Sequence, residues 1–303
     1  MAVEEGPDNR AKSKPLSAPR PGHADLAGCL KYNLRDARYV LERASARETA
    51  ARVAAGALAK LFLREFGIEV ASHVRAVGQV ALASAPVSFE QVLALRARAE
   101  TVLNCVDAVV EARMKEEVDR ALEAQDSVGG VFEVIAHGVP AGLGSCAQWD
   151  ERLDGMLAQA VMSIQAVKAV ELGSGIENAA TFGSRVHDEI GYDRAVSRFT
   201  RQSNRAGGLE GGITNGEDIV VRAYLKPTST LRQPLESVDL ETRETVRAAY
   251  ERSDVCVVPA AGVVGEAMVA LVLTRAFLEK FAGDSMTETR RNFDGYLEQL
   301  RHF

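Results

Sequence analysis

An α+β fold is what the sequence predicts, from three observations. Segments with apolar residues at three- and four-residue steps alternate irregularly with β-branched stretches, unlike the regular strand–helix order of a doubly wound parallel sheet. Glycine-rich loops bound several strand-like stretches, as in "VFEVIAHGVPAGLGS". A long apolar run, "VCVVPAAGVVGEAMVALVLTRAFLEKF", reads as a strand that becomes a helix after Pro259.

Taken in order, residues 1–19 are rich in proline, charge and small side chains, and read as a flexible arm. No strand or helix is expected before "RPGHADLAGCLKYN", and the first element assigned after it is a helix in the run that opens at "ERASARETAARVAAG". That helix is expected over residues 46–66, with Ala50, Val53, Ala54, Ala57, Leu58 and Leu61 on its apolar face. Gly67 ends it and a strand follows through "VASHVRAVGQVAL". The stretch from Ser88 to Gln125 reads as helix, broken once. A strand in "GGVFEVIAHG", a helix near 151–162 and a strand ending at Gly173 come next. "SNRAGGLEGGITNGEDIVVRAYLKPTST" gives a loop with five glycines, a strand and a proline-terminated loop. Gly283 ends the long apolar helix, and Ser285-Met286-Thr287-Glu288 has the pattern of a capping box for a last amphipathic helix.

Composition excludes several classes of function. The 303 residues carry 36 basic and 42 acidic side chains, a net charge of −6, so a nucleic-acid partner is not expected. Four scattered cysteines (Cys29, Cys105, Cys146, Cys256) form no CxxC or Cys/His cluster and read as reduced thiols, with no metal site. No apolar run is expected to reach the ~20 residues of a membrane span, and the first residues lack a signal-peptide core. A cytoplasmic enzyme or binding protein is the expectation.

The side chains that point to chemistry are mostly cations. Ser45-Ala46-Arg47-Glu48 matches a capping box, placing Arg43 and Arg47 beside a helix N-terminus whose free N–H groups favour an anion. The same arginines would also serve as solvated partners of Glu42 and Glu48, and the stretch alone does not decide. "GHAD" sets His23 beside Asp25 in a tight loop, whereas His73, His137, His187 and His302 read as structural or solvated. "RAGGLEGGITNG" precedes a strand rather than following one, so it is no dinucleotide fingerprint, but its glycines admit close backbone approach to a flat ligand. "LKPTST" offers a lysine and three hydroxyls to a phosphate or flavin, and Arg252 in "ERSDVCVVP" adds a cation. These residues describe an anion site without metal ligands.

The motifs "RPGHAD", "RASARETAARVAAGA", "DSVGG", "GVPAGLGS", "SIQAVKAVELG", "NRAGGLEGGITNG", "KPTST", "RSDVCVVPAAGVVGEAMVALVL" and "LEKFAGDS" resemble the chorismate synthase family, in that family's order, from Arg20 to the C-terminus. The resemblance implies a β-α-β sandwich, with antiparallel sheets around central helices, as a single domain over residues 20–303. It also implies conversion of 5-enolpyruvylshikimate 3-phosphate into chorismate by 1,4 elimination of phosphate, with reduced FMN and no net redox change, in a homotetramer. Matched by motif, Arg43, Ala44, Ser45, Gln165, Ala166, Gly211, Lys226, Pro227, Thr228, Ser229, Thr230 and Arg252 would bind FMN. Arg20, Ser45, Arg47 and Arg252 would face the substrate, and His23 would supply a proton to the reduced flavin. Nothing marks a nicotinamide site. Family members carry roughly eighty to ninety further residues ahead of this match, including an "ESHG"-type histidine, and Arg275 stands where the family shows an aspartate. The chain therefore reads as an N-terminally truncated member, incomplete in its fold and expected to turn over little. The alternative is a non-catalytic or decayed homologue that binds FMN or a partner subunit.

Overall fold

The computed structural model describes residues 15–83, 85–98 and 102–303. In chain order the elements are α1 (Asp25–Tyr32), α2 (Arg38–Ala44), α3 (Thr49–Arg64), β1 (Glu69–Val77), β2 (Val80–Ala81), α4 (Phe89–Ala94), α5 (Ala108–Glu123), β3 (Gly130–His137), α6 (Leu153–Met162), β4 (Val167–Leu172) and α7 (Gly175–Ala179). Four short strands follow, β5 (Ile190–Asp193), β6 (Arg198–Arg201), β7 (Leu209–Glu210) and β8 (Ile213–Thr214). Then come β9 (Ile219–Leu225), β10 (Glu236–Val238), β11 (Thr245–Arg247), α8 (Val258–Phe281) and α9 (Met286–Arg301). The mixture of helices with antiparallel sheets is the expected α+β class.

Two compact units divide the chain. Met1–Glu48, Val118–Val128 and Pro227–Cys256 form unit 1; Thr49–Glu117, Gly129–Lys226 and Val257–Phe303 form unit 2.

Unit 1 is loop-rich. Its apolar cluster joins Leu16, Cys29, Ala37, Val40, Leu41 and Leu240. Residues 1–14 of the expected arm lie outside the described residues. From Leu16 onward the chain is held rather than free: Leu16 N–H donates to Asp36 Oδ1 at 2.8 Å, and Ser17 and Ala18 accept backbone bonds from Leu240 and Ala249. Helices α1 and α2 were not expected. They are short and keep Leu26, Leu30, Tyr32 and Tyr39 exposed, so no apolar periodicity advertises them.

Unit 2 is built on a five-stranded antiparallel sheet in the order β2-β1-β3-β9-β4. One face is apolar across the strands: Val74 opposes Phe132, Phe132 opposes Ala223, and Val134 opposes Val221. Helix α8 lies on this face because its glycines permit it; a Cβ on Gly265 would sit 2.5 Å from Phe132. Helix α3 then meets α8 at similarly close range, since a Cβ on Gly56 would lie 2.3 Å from that of Ala267. Beyond Phe66, a cluster of Phe277, Phe281 and Phe293 anchors α9, with Phe66 and Phe277 centroids 4.5 Å apart.

Three expectations need correction. The buried side of α3 is Gly56, Ala59 and Leu63, while Leu58 and Leu61 are 70% and 54% exposed and Ala50, Ala54 and Ala57 are also exposed. Close approach to α8 selects the small residues, so the face follows packing at Gly56 rather than the number of apolar side chains. No strand runs directly into α8: Val255 meets Val128 through one backbone hydrogen bond, and Pro259 in the first turn lets the helix begin at Val258. Finally, α8, at 24 residues and mean hydropathy 1.7, is the one helix among the described residues long and apolar enough to cross a membrane, by length and composition only. In unit 2 it is a core helix, with Val264, Ala267, Ala270, Leu273 and Phe277 buried.

Candidate functional site

The densest polar cluster of unit 1 grows from the turn Arg20-Pro21-Gly22. Gly22 adopts φ +76, which bends the chain so that His23 N–H returns to Arg20 C=O at 3.3 Å. Asp25 then opens α1 with its side chain fully buried. Its Oδ2 accepts the Arg20 backbone N–H at 3.1 Å and Nε–H at 2.8 Å. Its Oδ1 lies 3.2 Å from Arg20 Nη2 and 2.5 Å from His23 Nδ1. Burial pushes the Asp25 carboxyl up, but the hydrogen bonds from His23 and Arg20 outweigh it and hold the group well below the usual carboxylate range. Arg20 is itself 7% exposed, and its Nη1 donates to Thr230 Oγ1 at 2.8 Å.

That last bond starts a series that ties the sequence motifs together. Ser253 Oγ donates to Thr230 C=O at 3.2 Å, and Thr228 Oγ1 donates to Asp254 C=O at 3.3 Å. Ser127 Oγ donates to Thr228 C=O at 2.7 Å. Arg38, at the start of α2, pairs with Glu251 at 2.8 Å. Within unit 1, therefore, "RPGHAD", "PTST", "ERSDV" and the helix leading into "RASAR" are joined by side-chain hydrogen bonds and one ion pair. Sequence distances of more than two hundred residues are closed this way.

Two cations on these segments stay uncommitted. Arg43 and Arg252 are exposed and make no hydrogen bond or ion pair among the described residues. Arg47 differs: it is 70% exposed and pairs with Glu42 at 2.8 Å, the bland arrangement that the sequence left open. Ser45 closes α2 in extended conformation and accepts the Arg47 N–H at 3.4 Å, entering a 3₁₀ turn over Ala46–Glu48 before α3. The α-helix thus begins three residues later than expected. Ala44 is half-buried.

Unit 2 carries Gln165, Ala166, Gly211 and Lys226. Ala166 sits at φ +68, rare for a residue with a Cβ, and its carbonyl accepts the Lys226 N–H at 3.0 Å. Burial, with Lys168 nearby, lowers the Lys226 amine from its ordinary value. Gly211 has φ +60, and a Cβ there would meet nothing nearer than Cys146 at 4.0 Å, so its backbone stands open. Arg275 lies on the exposed side of α8 in an i,i+4 pair with Glu279 at 2.7 Å.

Sequence reasoning missed one feature altogether. On the second sheet face, His73, Glu133, Arg222 and Glu171 stand in one cross-strand row over β1, β3, β9 and β4. Glu133 accepts from His73 at 2.9 Å, Arg75 at 3.3 Å and Arg222. Glu171 accepts from Tyr224, and Arg222 Nη1 lies 3.5 Å from it. Charges in mid-strand, as in "FEVIA" and "VVRAYL", were the available signal. Glu133 and Arg222 also line a cleft of about 740 Å³ with Ser88, Asn204, Arg205 and Asp218, and no expected site residue borders it. His137 pairs with Asp218 at 2.7 Å and His302 with Glu298 at 2.8 Å, as expected of structural or solvated groups.

Comparison with known proteins gives the family. The family model "Chorismate synthase" matches residues 5–278. A protein of Solibacter usitatus called chorismate synthase is 67% identical over 97% of this chain and 75% of its own length. One from Acidobacterium capsulatum, of the same name, is 63% identical over 100% of this chain and 78% of its own. A solved structure titled "Crystal Structure of Chorismate Synthase" superposes with a TM-score of 0.80 at 46% identity, covering 92% of this chain and 77% of that one.

Proposed function

The chain belongs to the chorismate synthase family and is an enzyme of the lyase class, and we propose that it eliminates phosphate from 5-enolpyruvylshikimate 3-phosphate to give chorismate. The cofactor in this reading is reduced FMN, held by the motif residues from Arg43 to Arg252 already named. The observation that carries it is the pair of uncommitted guanidinium groups, Arg43 and Arg252, on segments bonded to the His23 loop. A folded protein leaves such cations without internal partners at little cost where an anionic ligand completes them. Each charge-assisted bond to phosphate or carboxylate contributes roughly 1.5–3 kcal/mol. A helix dipole supplies only ~0.3–1 kcal/mol, so the arginines dominate. The open backbone at Gly211 and the left-handed Ala166 suit close approach to a flat ring.

Reduced FMN, when bound, supplies the electron-rich ring that assists breaking of the carbon–oxygen bond to phosphate, with no net redox change. The chain's own residues do the rest. Arg43 and Arg252 neutralise and orient the negative groups, and His23, when doubly protonated, gives up the proton at Nε2, the ring nitrogen not turned to Asp25, and keeps the one at Nδ1. The non-catalytic alternative is not favoured, since the relatives named above carry the enzyme's name. We also place the protein in the cytoplasm as a homotetramer, which its solution mass would test. The direct test is anaerobic: the protein, FMN reduced by dithionite, and the phosphorylated substrate. Equal amounts of chorismate and phosphate are expected. A folded protein that binds the flavin and releases neither would contradict the reading.

A further inference from the structure

We infer that Asp25, locked by Arg20, is a positioning residue that fixes His23 in its Nδ1–H form and leaves Nε2 as the nitrogen available to flavin and substrate. The inference rests on the reading of His23 as a proton donor and adds what sets its tautomer.

Donor and acceptor arithmetic around Nδ1 leads there. Two groups approach this nitrogen: Asp25 Oδ1 at 2.5 Å and Arg20 Nη2 at 3.0 Å. A guanidinium donates only, and an ionised carboxylate accepts only, so both cannot hydrogen-bond to one nitrogen. Asp25 is ionised, because its Oδ2 already takes two donors from Arg20 and the whole cluster holds the carboxyl low. A bare Nδ1 facing that oxygen at 2.5 Å would set lone pair against lone pair. A proton on Nδ1 removes the conflict, and Arg20 Nη2 then bonds to Asp25 Oδ1 at 3.2 Å while merely touching the ring. In water a neutral imidazole is free to take either tautomer; here the buried carboxylate selects one.

Arg20 belongs to the same device. Three of its donors go to Asp25 and a fourth to Thr230, and both partners are buried. Its guanidinium is thus spent on holding the carboxylate in place, with the "KPTST" loop as the far anchor. His23 keeps a side chain 21% exposed, enough to present Nε2 outward.

Asp25→Asn should reverse the arrangement. Of the two amide orientations, the one that keeps oxygen toward the Arg20 N–H and Nε–H satisfies two donors. It turns the amide N–H₂ toward His23, which then accepts at Nδ1 and carries its proton on Nε2. The readout is ¹⁵N NMR of histidine-labelled protein without flavin, above the pH at which the ring is neutral, with His23 assigned by its loss in His23→Gln. Wild type should show the proton on Nδ1, and D25N on Nε2. With flavin and substrate, kcat of D25N should fall on the order of a hundredfold or more with KM little changed. If D25N does not fold, the wild-type spectrum alone decides. A wild-type His23 protonated on Nε2, or a D25N protein that keeps the wild-type tautomer, would overturn the inference. Full turnover by H23Q beside a wild-type Nδ1–H signal would instead sink the role of His23 in the reaction and leave the Asp25–His23 pairing standing.

Discussion

Replacing Glu133 by Gln removes the one carboxylate shared by Arg75, Arg222 and the His73 ring in the charged row of unit 2. Glu133 is 1% exposed and receives His73 Nε2 at 2.9 Å, Arg75 Nη1 at 3.3 Å and Arg222 Nε. Burial pushes its carboxyl up, but the His73 hydrogen bond and the Arg222 and Arg75 charges prevail and hold it at about 2, against an ordinary 4.5. That gap converts to roughly 3 kcal/mol at about 1.36 kcal/mol per pH unit. A second route agrees: breaking a buried ion pair by removing one partner costs about 3–5 kcal/mol. Because the folded value lies below the ordinary one, this stability is complete above about pH 5 and disappears as pH falls through about 2. E133Q should therefore be less stable than wild type by roughly 3 kcal/mol at pH 7, with the two converging near pH 2. Asp25 also loses stabilisation in acid, but it is common to both proteins and cancels. Urea unfolding followed by far-UV circular dichroism is the assay, since the single tryptophan, Trp149, is 81% exposed and reports weakly on the core. A difference below about 1 kcal/mol at pH 7, or one that does not shrink in acid, would refute the reasoning.

Two further predictions concern packing and the site's frame. Gly56→Val should destabilise by about 1–3 kcal/mol or more in the same assay, because its Cβ would lie 2.3 Å from the Cβ and 2.5 Å from the Cα of Ala267, a helical residue that cannot step aside. Wild-type stability in G56V would mean the α3–α8 contact is looser than described. Thr230→Val should cost about 1–3 kcal/mol by leaving the buried Arg20 Nη1 without its acceptor, while Thr230→Ser should recover most of the loss. Equal behaviour of the two variants would show that the methyl group, not the hydroxyl, matters there.

The sequence was most legible where local rules and global packing agree. "VFEVIAH" and "IVVRAYL" are strands, as their β-branched residues indicate, and Ser285 caps the last helix by accepting the Glu288 N–H at 3.3 Å. The Glu288 carboxylate reaches back to the Asp284 N–H at 2.9 Å, one residue further than a standard box. Legibility failed where tertiary contact overrides pattern. The apolar count on α3 favoured Leu58 and Leu61, but helix–helix distance is set by Gly56, a residue that contributes nothing to hydrophobicity. Helices α1 and α2 are too short to show a period. The row His73–Glu133–Arg222–Glu171 depends on strand register, which a single chain read residue by residue does not reveal. At the site, motif order identified the residues, whereas the bonds that join Arg20 to Thr230 and Ser253 to the same residue required coordinates. Arg20 itself reads as a free cation in sequence and is a committed one in the fold.

The central claim is that uncommitted arginines, gathered by bonded loops, hold reduced flavin and its anionic co-ligand. Titration of reduced FMN into wild-type and Arg252→Ala protein, with and without substrate, tests it most directly. The account predicts saturable binding that tightens with substrate and weakens in R252A by roughly ten- to a hundredfold, the loss of one charge-assisted hydrogen bond. Identical affinity in the two proteins would contradict it.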